Sequence, residues 1–368
     1  MNAPNPLPLV FDPALPLEQA CTIPNRWYTE PEVLAAEKTK VFSRHWMAVG
    51  RAEQVSRPGE YLTCQVGDEP IVIVRGEDGQ LRAFYNVCRH RAARIMTHEC
   101  GVASKLRCPY HGWTYDLQGH LRGVPEFDGV AAFQREQNGL APVTAATWGP
   151  FVFVHLDEPR ISLQDWLTPL EQTLEPFAIQ QLRFYGRQVY DLACNWKVYC
   201  DNYLDGGYHV NSIHPALAGV LDYKNYHTEL FNYHSVQSSP MKVPDVHDDP
   251  SAAAVRSGPS AAYAFVYPNF MINCYSGVMD TNTVLPLGPE RCRVIFDFYF
   301  APSQDPAAEH RYSQSMLVAD KIQAEDVAIC EDVQRGLHSR AFTSGRFSVR
   351  REAGVYHFHR LLAADVQG

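Results

Sequence analysis

Between Gly59 and Cys88 the chain reads "GEYLTCQVGDEPIVIVRGEDGQLRAFYNVC", with apolar and polar residues alternating at the two-residue period of half-buried β-strands. Asp78-Gly79 separates two such runs and predicts a tight hairpin turn. "GWTYDLQGHLRGVP" and "WGPFVFVHLDEP", the latter Trp148–Pro159, carry the strand pattern to a domain end near residue 160. Ahead of it, the Pro-rich residues 1–25 read as an irregular arm, and Glu30–Trp46 has the apolar spacing of a helix. Beyond residue 160 the pattern changes. Ile161–Phe177 is helical, and Phe184–Leu217 begins as a strand and passes into a helix at Asn195, a good N-cap residue. Ala262–Phe300 alternates as several strands, and Ala307–Leu337 is the longest helical pattern in the chain. Gln237–Ala262, rich in Ser, Pro and Ala without a period, reads as a mobile loop. The expected fold class is α+β: an arm and helix over 1–43, an antiparallel β domain over 44–160, and over 161–368 a domain whose central antiparallel sheet is flanked by helices.

Composition narrows the function classes. A chain of 368 residues exceeds a single core and supports two domains. With 46% hydrophobic residues and no apolar run of eighteen, no membrane span is expected, and the N-terminus carries no readable targeting signal, so the expected location is the cytoplasm. A net charge of -9 argues against a nucleic-acid partner. Ten cysteines are too sparse for a disulfide scaffold, and eight of them, such as Cys21, Cys64, Cys194 and Cys292, are scattered singly and read as reduced thiols.

The other two sit in a pattern. Cys88 and His90 form a Cys-x-His pair seventeen residues ahead of the Cys-x-x-His pair Cys108 and His111. A Cys₂His₂ zinc finger groups its cysteines together and its histidines together, so two mixed pairs on loops after strands weaken the zinc reading. In a Rieske cluster one iron takes both thiolates and the other both imidazoles, and two loops that each bring one Cys and one His fit that division. His98 and Cys100, between the pairs, are a rival ligand pair on paper and read as loop surface or packing.

A second constellation lies in "NWKVYCDNYLDGGYHVNSIHP", where His209 and His214 are five apart, with Asp201 and Asp205 upstream. Two imidazoles about a turn apart suit one metal, and a non-haem Fe(II) site needs one further carboxylate with positions left for O₂ and substrate. The helical segment with Glu325, Asp326, Glu331 and Asp332 offers acids, most of which belong on a solvated face. His357 and His359 alternate as on a strand and read as structural.

"CRHRAARIM…CPYHGWTYDLQG" resembles the Rieske domain of ring-hydroxylating and related non-haem iron oxygenases, and the chain resembles their alpha subunits from about residue 26 onward. "CDNYLDGGYHV" and "YAFVYPNFMIN…MDTNTVLPLGP" are similar to choline monooxygenase and its bacterial relatives, the branch acting on small quaternary ammonium compounds. The resemblance implies a Rieske [2Fe–2S] domain holding its cluster on Cys88, His90, Cys108 and His111, and a catalytic domain holding mononuclear Fe(II) on His209, His214 and Asp326, with Glu325 as the rival acid. It implies a homotrimer in which a carboxylate before the first iron histidine bridges a cluster histidine, here His111, to an iron histidine of the neighbouring chain. The usual position for that acid is Gly206 here, so Asp205 is expected as the electron-transfer bridge, with Asp201 as the fallback. Asn202 is placed beside Asp205 among the catalytic residues. A trimethylammonium group needs aromatic faces, and Tyr203, Tyr208, Phe265, Tyr267, Phe270 and Tyr275 are the candidates.

The implied activity is that of a terminal oxygenase using O₂ to hydroxylate, or oxidatively N-demethylate, a small quaternary ammonium compound such as choline or a betaine. The alternative is a Rieske hydroxylase of an aromatic ring or aromatic acid. No dinucleotide-binding glycine motif follows a strand, so electrons from NAD(P)H are expected through a separate flavin/iron–sulfur reductase or ferredoxin.

Overall fold

The alternating runs become antiparallel pairs. The computed structural model describes residues 11–242 and 256–368. Lys38–Trp166 form one unit, and the chain on either side, to Glu37 and from Leu167, forms the other.

In the Lys38–Trp166 unit the strands are β1 (Met47–Arg51), β2 (Glu60–Val66), β3 (Glu69–Arg75), β4 (Leu81–Tyr85), β5 (Cys100–Val102), β6 (Leu106–Arg107), β7 (Thr114–Tyr115), β8 (Leu121–Gly123), β9 (Pro142–Trp148) and β10 (Phe151–His155). Seven of them form one sheet in the order β1-β10-β9-β4-β3-β2-β5, and β6-β7-β8 form a small second sheet. Asp78-Gly79 makes the expected turn between β3 and β4: Gly79 takes φ +75, and the Asp78 carboxylate accepts from the Gln80 amide and the Arg82 guanidinium. Val72, Val74, Phe84, Ile95, Trp113 and Tyr115 close a core around Cys88 and Cys108.

The other unit begins with helices α1 (Arg26–Thr29) and α2 (Pro31–Glu37). The helix expected over Glu30–Trp46 is shorter than its pattern: it ends at Glu37, and Lys38–Phe42 widen into a π-helical turn that buries Val41 and Phe42. Helix α3 (Leu163–Leu174) spans the boundary at residue 166. Then come β11 (Arg183–Leu192), α4 (Trp196–Leu204), α5 (Val210–Ile213), α6 (Pro215–Val220), β12 (His227–Leu230), β13 (His234–Pro240), β14 (Ser260–Val266), β15 (Phe270–Tyr275), β16 (Val278–Gly288), β17 (Arg291–Phe300), α7 (Ala308–Leu337) and α8 (Ala353–Gln367). The seven strands are antiparallel in the order β11-β17-β16-β15-β14-β13-β12. Both ends of the segment expected to be a loop are in fact strand, Gln237–Pro240 in β13 and Ser260–Ala262 in β14, while residues 243–255 lie outside the described residues.

Asn195 caps α4 as expected, its side chain accepting from the Lys197 amide. The next two residues anchor the helix: Glu37 of α2, itself fully buried, accepts from Trp196 Nε1 at 2.7 Å and pairs with Lys197 Nζ at 2.6 Å. Breaking such a buried pair costs about 3–5 kcal/mol, so α4 is held firmly where it carries Asn202 and Tyr203. His357 and His359 lie on helix α8 rather than a strand, so their side chains point in different directions. His359 is fully buried against Asp201 at 3.0 Å and Tyr28 at 3.2 Å. The two histidines do not form a metal site. Among the described residues, no helix is long and apolar enough to cross a membrane.

Candidate functional site: two metal-ligand sets and a tyrosine-walled cavity

Cys88 and His90 follow β4, and Cys108 and His111 occupy the tight loop between β6 and β7. That loop closes through Gly112, whose amide donates to the Cys108 carbonyl and whose φ of +74 suits glycine, and through the Cys108 amide donating to the Trp113 carbonyl. Both thiols are buried, and burial pushes the Cys108 thiol up, with the Cys88 thiol beside it adding to the shift. The His90 and His111 rings face each other at 4.7 Å, and His90 stacks on Trp113 at 5.0 Å. His90 Nδ1 is buried with no partner, and the Cys88 sulfur meets Tyr115 Oη at 3.5 Å. Paired thiols beside paired imidazoles, one with an orphaned ring nitrogen, fit the Rieske division of ligands. His98 and Cys100 are exposed and take no part.

The second set converges from three places. His209 N-caps the short α5, His214 ends it, and Asp326 lies on α7; one ligand atom from each falls within 4.8 Å of the others. Each imidazole is held at its far nitrogen by a carboxylate: His209 Nδ1 by Asp205 at 2.6 Å, and His214 Nδ1 by Glu325 at 2.7 Å. Both Nε2 atoms therefore face Asp326 Oδ1, at 4.0 Å and 3.0 Å, and Asn202 Nδ2 donates to that same oxygen at 2.7 Å. Burial opposes protonation of His214, but the Asp326 and Glu325 carboxylates outweigh it and raise its pKa. Two histidines and one carboxylate, each held by an outer acid or amide, are the donor set of a non-haem iron triad.

The expected helical i,i+4 relation between Asp205 and His209 is not how they meet. Asp205 is the C-cap of α4, and the chain turns through Gly206 and Gly207, both left-handed at φ +69 and +70. A Cβ at Gly206 would collide with the Arg351 carbonyl, so that position accepts no side chain and the acid falls to Asp205. Asp205 also accepts from the Tyr208 and His209 amides, which locks the turn. Asp201 is engaged elsewhere, with Tyr28 at 2.6 Å and His359 at 3.0 Å.

Beside His209, His214 and Asp326 a cavity of about 110 Å³ opens between α4, α7 and the sheet. Strand register lines its floor: Gln237 on β13, Tyr263 on β14, Asn273 on β15 and Asp280 on β16 are successive cross-strand partners. Tyr203 Oη donates to Asn273 Oδ1, and Asn273 Nδ2 donates to Asp280 Oδ2 at 2.6 Å and Asn282 Oδ1 at 3.1 Å. Tyr226 and Tyr263 lie near-parallel at 6.3 Å, and Tyr263 meets Tyr275 edge-on at 5.9 Å. Burial pushes the Asp280 carboxyl up, while Arg256 and Asn273 pull it back down.

The catalytic-domain model of the ring-hydroxylating alpha subunits matches residues 179–368, and the Rieske [2Fe-2S] domain model matches residues 45–134. The chain belongs to the Rieske ring-hydroxylating oxygenase family. It is 40% identical to chloroplastic choline monooxygenase of Arabidopsis thaliana over 96% of this chain and 84% of that one. The carnitine monooxygenase oxygenase subunit of Escherichia coli K12 is 30% identical over 94% of each chain. A solved quaternary ammonium Rieske monooxygenase, 29% identical, covers 99% of this chain and 100% of its own with a TM-score of 0.85, and its complex with substrate L-carnitine gives 0.83.

In this Rieske oxygenase only two of the six expected aromatic substrate residues, Tyr203 and Tyr275, line the cavity. Tyr208 is 56% exposed in the turn before His209. Phe265, near the end of β14, packs against Phe358 at 5.4 Å, and Tyr267, just past that end, donates to Asp365, so neither lines the cavity. Phe270 has the opposite strand parity from Asn273 and Tyr275 and points to the other face of the sheet. Tyr199, Tyr226, Tyr263, Phe296, Arg256 and Asp280 also line it and were not expected. The alternation of Asp280 and Asn282 in "MDTNTV" was the available signal, since paired polar residues on the covered face of a sheet need a purpose.

Proposed function

We propose that this chain is the terminal oxygenase component of a monooxygenase system that hydroxylates, or oxidatively N-demethylates, a small quaternary ammonium compound. The observation that carries the reading is the cavity beside His209, His214 and Asp326: tyrosine faces Tyr203, Tyr226, Tyr263 and Tyr275 with a buried carboxylate, Asp280. Aromatic faces attract a desolvated cation by up to about 2 kcal/mol, and a nearby carboxylate adds to it. The relatives named for choline and carnitine oxidation support the same class.

In this assignment Cys88 and Cys108 would hold one iron of a [2Fe–2S] cluster and His90 and His111 the other, while His209, His214 and Asp326 would hold a mononuclear Fe(II). When bound, the cluster supplies single electrons and the mononuclear iron supplies O₂ activation for attack on a C–H bond. The protein fixes the geometry. Asp205 and Glu325 each accept a hydrogen bond from the Nδ1–H of a histidine and so leave its Nε2 as the atom that would bind the metal. Asn202 holds Asp326, and the tyrosine walls keep the methyl groups in a dry space beside it. Hydroxylation of an N-methyl carbon gives a carbinolamine that breaks down to amine and formaldehyde; hydroxylation of an alcohol carbon gives an aldehyde hydrate. Electrons enter from a separate NAD(P)H-dependent reductase or ferredoxin, and a homotrimer sets Asp205 to link His209 with His111 of a neighbouring copy.

The test is O₂ uptake and product mass with a generic reductase, comparing trimethylammonium compounds with their neutral tert-butyl isosteres and with aromatic acids. Turnover confined to the cations is expected. Equal turnover of cation and isostere, or turnover of aromatic acids alone, overturns the reading.

A further inference from the structure

We infer that the cavity also recognises an anion, and that Arg256 is the specificity-determining residue that takes it, so the substrate is a zwitterion carrying both a quaternary ammonium group and a carboxylate. The inference rests on the cationic-substrate reading above and narrows it.

Three observations meet here. The first is charge. Arg256 is buried in the cavity wall with its guanidinium 5.4 Å from the centre of the Tyr275 ring. It is close enough to Asp280 that each supports the other's charged form. The two opposite charges thus offset each other within that stretch of the wall. A lone cation beside this pair meets the repulsion of Arg256 as well as the attraction of Asp280, whereas a zwitterion brings an opposite charge to each.

The second is hydrogen bonding. Asn282 Nδ2 and Gln323 Nε2 are buried without a partner, and both residues line the same cavity. Their other amide atoms are committed, Asn282 Oδ1 to Asn273 and Gln323 Oε1 to Tyr199 Oη at 2.8 Å. These two amides leave the wall with N–H groups that no protein acceptor takes up. A trimethylammonium group accepts no hydrogen bond and an alcohol oxygen has two lone pairs, but a carboxylate presents about four acceptor sites.

The third is placement. Strand register puts Tyr275 on β15 and Asp280 on β16 on the same covered face as Tyr263, with the Tyr226 ring alongside Tyr263. Carboxylate on Arg256, which covers the Tyr275 ring, leaves the Tyr226 and Tyr263 rings and Asp280 for the ammonium methyls, so one molecule meets both charges of the pair.

The experiment measures binding and turnover by the full-length holoenzyme with three kinds of probe. These are ω-trimethylammonium carboxylates with two to four carbons, their methyl esters, and choline. The esters keep the cation and lose the anion. Expected is at least ten-fold tighter calorimetric binding of the best carboxylate than of its ester or of choline, the scale of one charge-assisted pair. In Arg256→Gln the acid-to-ester ratio should fall to about one, chiefly through KM, and Arg256→Lys should restore part of it. The melting temperature and iron–sulfur spectrum of each variant report its folding. If a variant does not fold, the wild-type acid, ester and choline comparison decides alone. Acid, ester and choline binding equally overturns the anion site and leaves the quaternary ammonium reading intact. Failure of every trimethylammonium probe overturns both.

Discussion

Glu325→Gln tests the arrangement around the proposed iron most sharply, because Glu325 and Asp326 are adjacent acids that the structure gives different tasks. Glu325 Oε2 sits 2.7 Å from His214 Nδ1 with its side chain 39% exposed, while Asp326 Oδ1 faces Nε2 of the same ring at 3.0 Å and is 13% exposed. One ring nitrogen is thus oriented from outside and the other is presented inward. Glutamine keeps the shape and still accepts from Nδ1–H, but it removes the negative charge that makes the imidazole a stronger donor. Losing such an outer partner costs about 10–100-fold in metal affinity, or roughly 1.4–2.7 kcal/mol. Anaerobic Fe(II) titration of protein whose cluster is intact, read by iron content after gel filtration, should give full stoichiometry with affinity weakened over that range. Asp326→Ala should leave no stoichiometric mononuclear iron. Unchanged affinity in Glu325→Gln would refute the orienting role, and total loss of iron there with retention in Asp326→Ala would exchange the two assignments.

Four further outcomes follow from the geometry. Cys88→Ser should abolish the visible iron–sulfur absorption, and an unchanged spectrum would remove the Rieske ligand assignment. Asp205→Asn should retain both metals but slow single-turnover electron delivery on mixing the reduced enzyme with substrate and O₂; a wild-type rate would take Asp205 off the path. Gly206→Ala should destabilise the protein by more than about 1–2 kcal/mol in thermal melts, the left-handed cost alone, because its Cβ also meets the Arg351 carbonyl. In the Lys38–Trp166 unit, burial holds His155 below its ordinary 6.5, so the unfolded chain binds a proton there that the folded one resists. Stability should therefore fall as pH drops from 6.5 toward the lowered value, and His155→Gln should flatten that slope in denaturant titrations at pH 5 and 7.

What the sequence disclosed about this chain depended on how far apart the interacting residues lie. Cys88, His90, Cys108 and His111 stand out because each pair belongs to one short loop, and mixed pairs weaken the zinc-finger reading before the resemblance points to a Rieske cluster. His209 and His214 are legible for the same reason, and Asn195 reads as a cap from its own residue type. Asp326 could be chosen over Glu325 only through family resemblance, since adjacent residues on a helix face directions about 100° apart and the sequence does not say which of them the histidines approach. The acid at Asp205 was anticipated but its geometry was not. Helical spacing suggested the contact with His209, whereas a double-glycine turn makes it, and the Arg351 carbonyl that forbids a side chain at Gly206 comes from far along the chain. The cavity wall was least legible. Choosing aromatics by nearness to the motifs collected Phe265, Tyr267 and Phe270, which strand parity and position at the end of β14 keep out of the cavity. Its true floor is a row across four strands, Gln237, Tyr263, Asn273 and Asp280, that exists only after register is fixed. Arg256, within a segment that reads as loop, joins Asp280 in that lining. The row of side chains on that floor is a property of the pairing of strands, written in register, where local pattern does not reach.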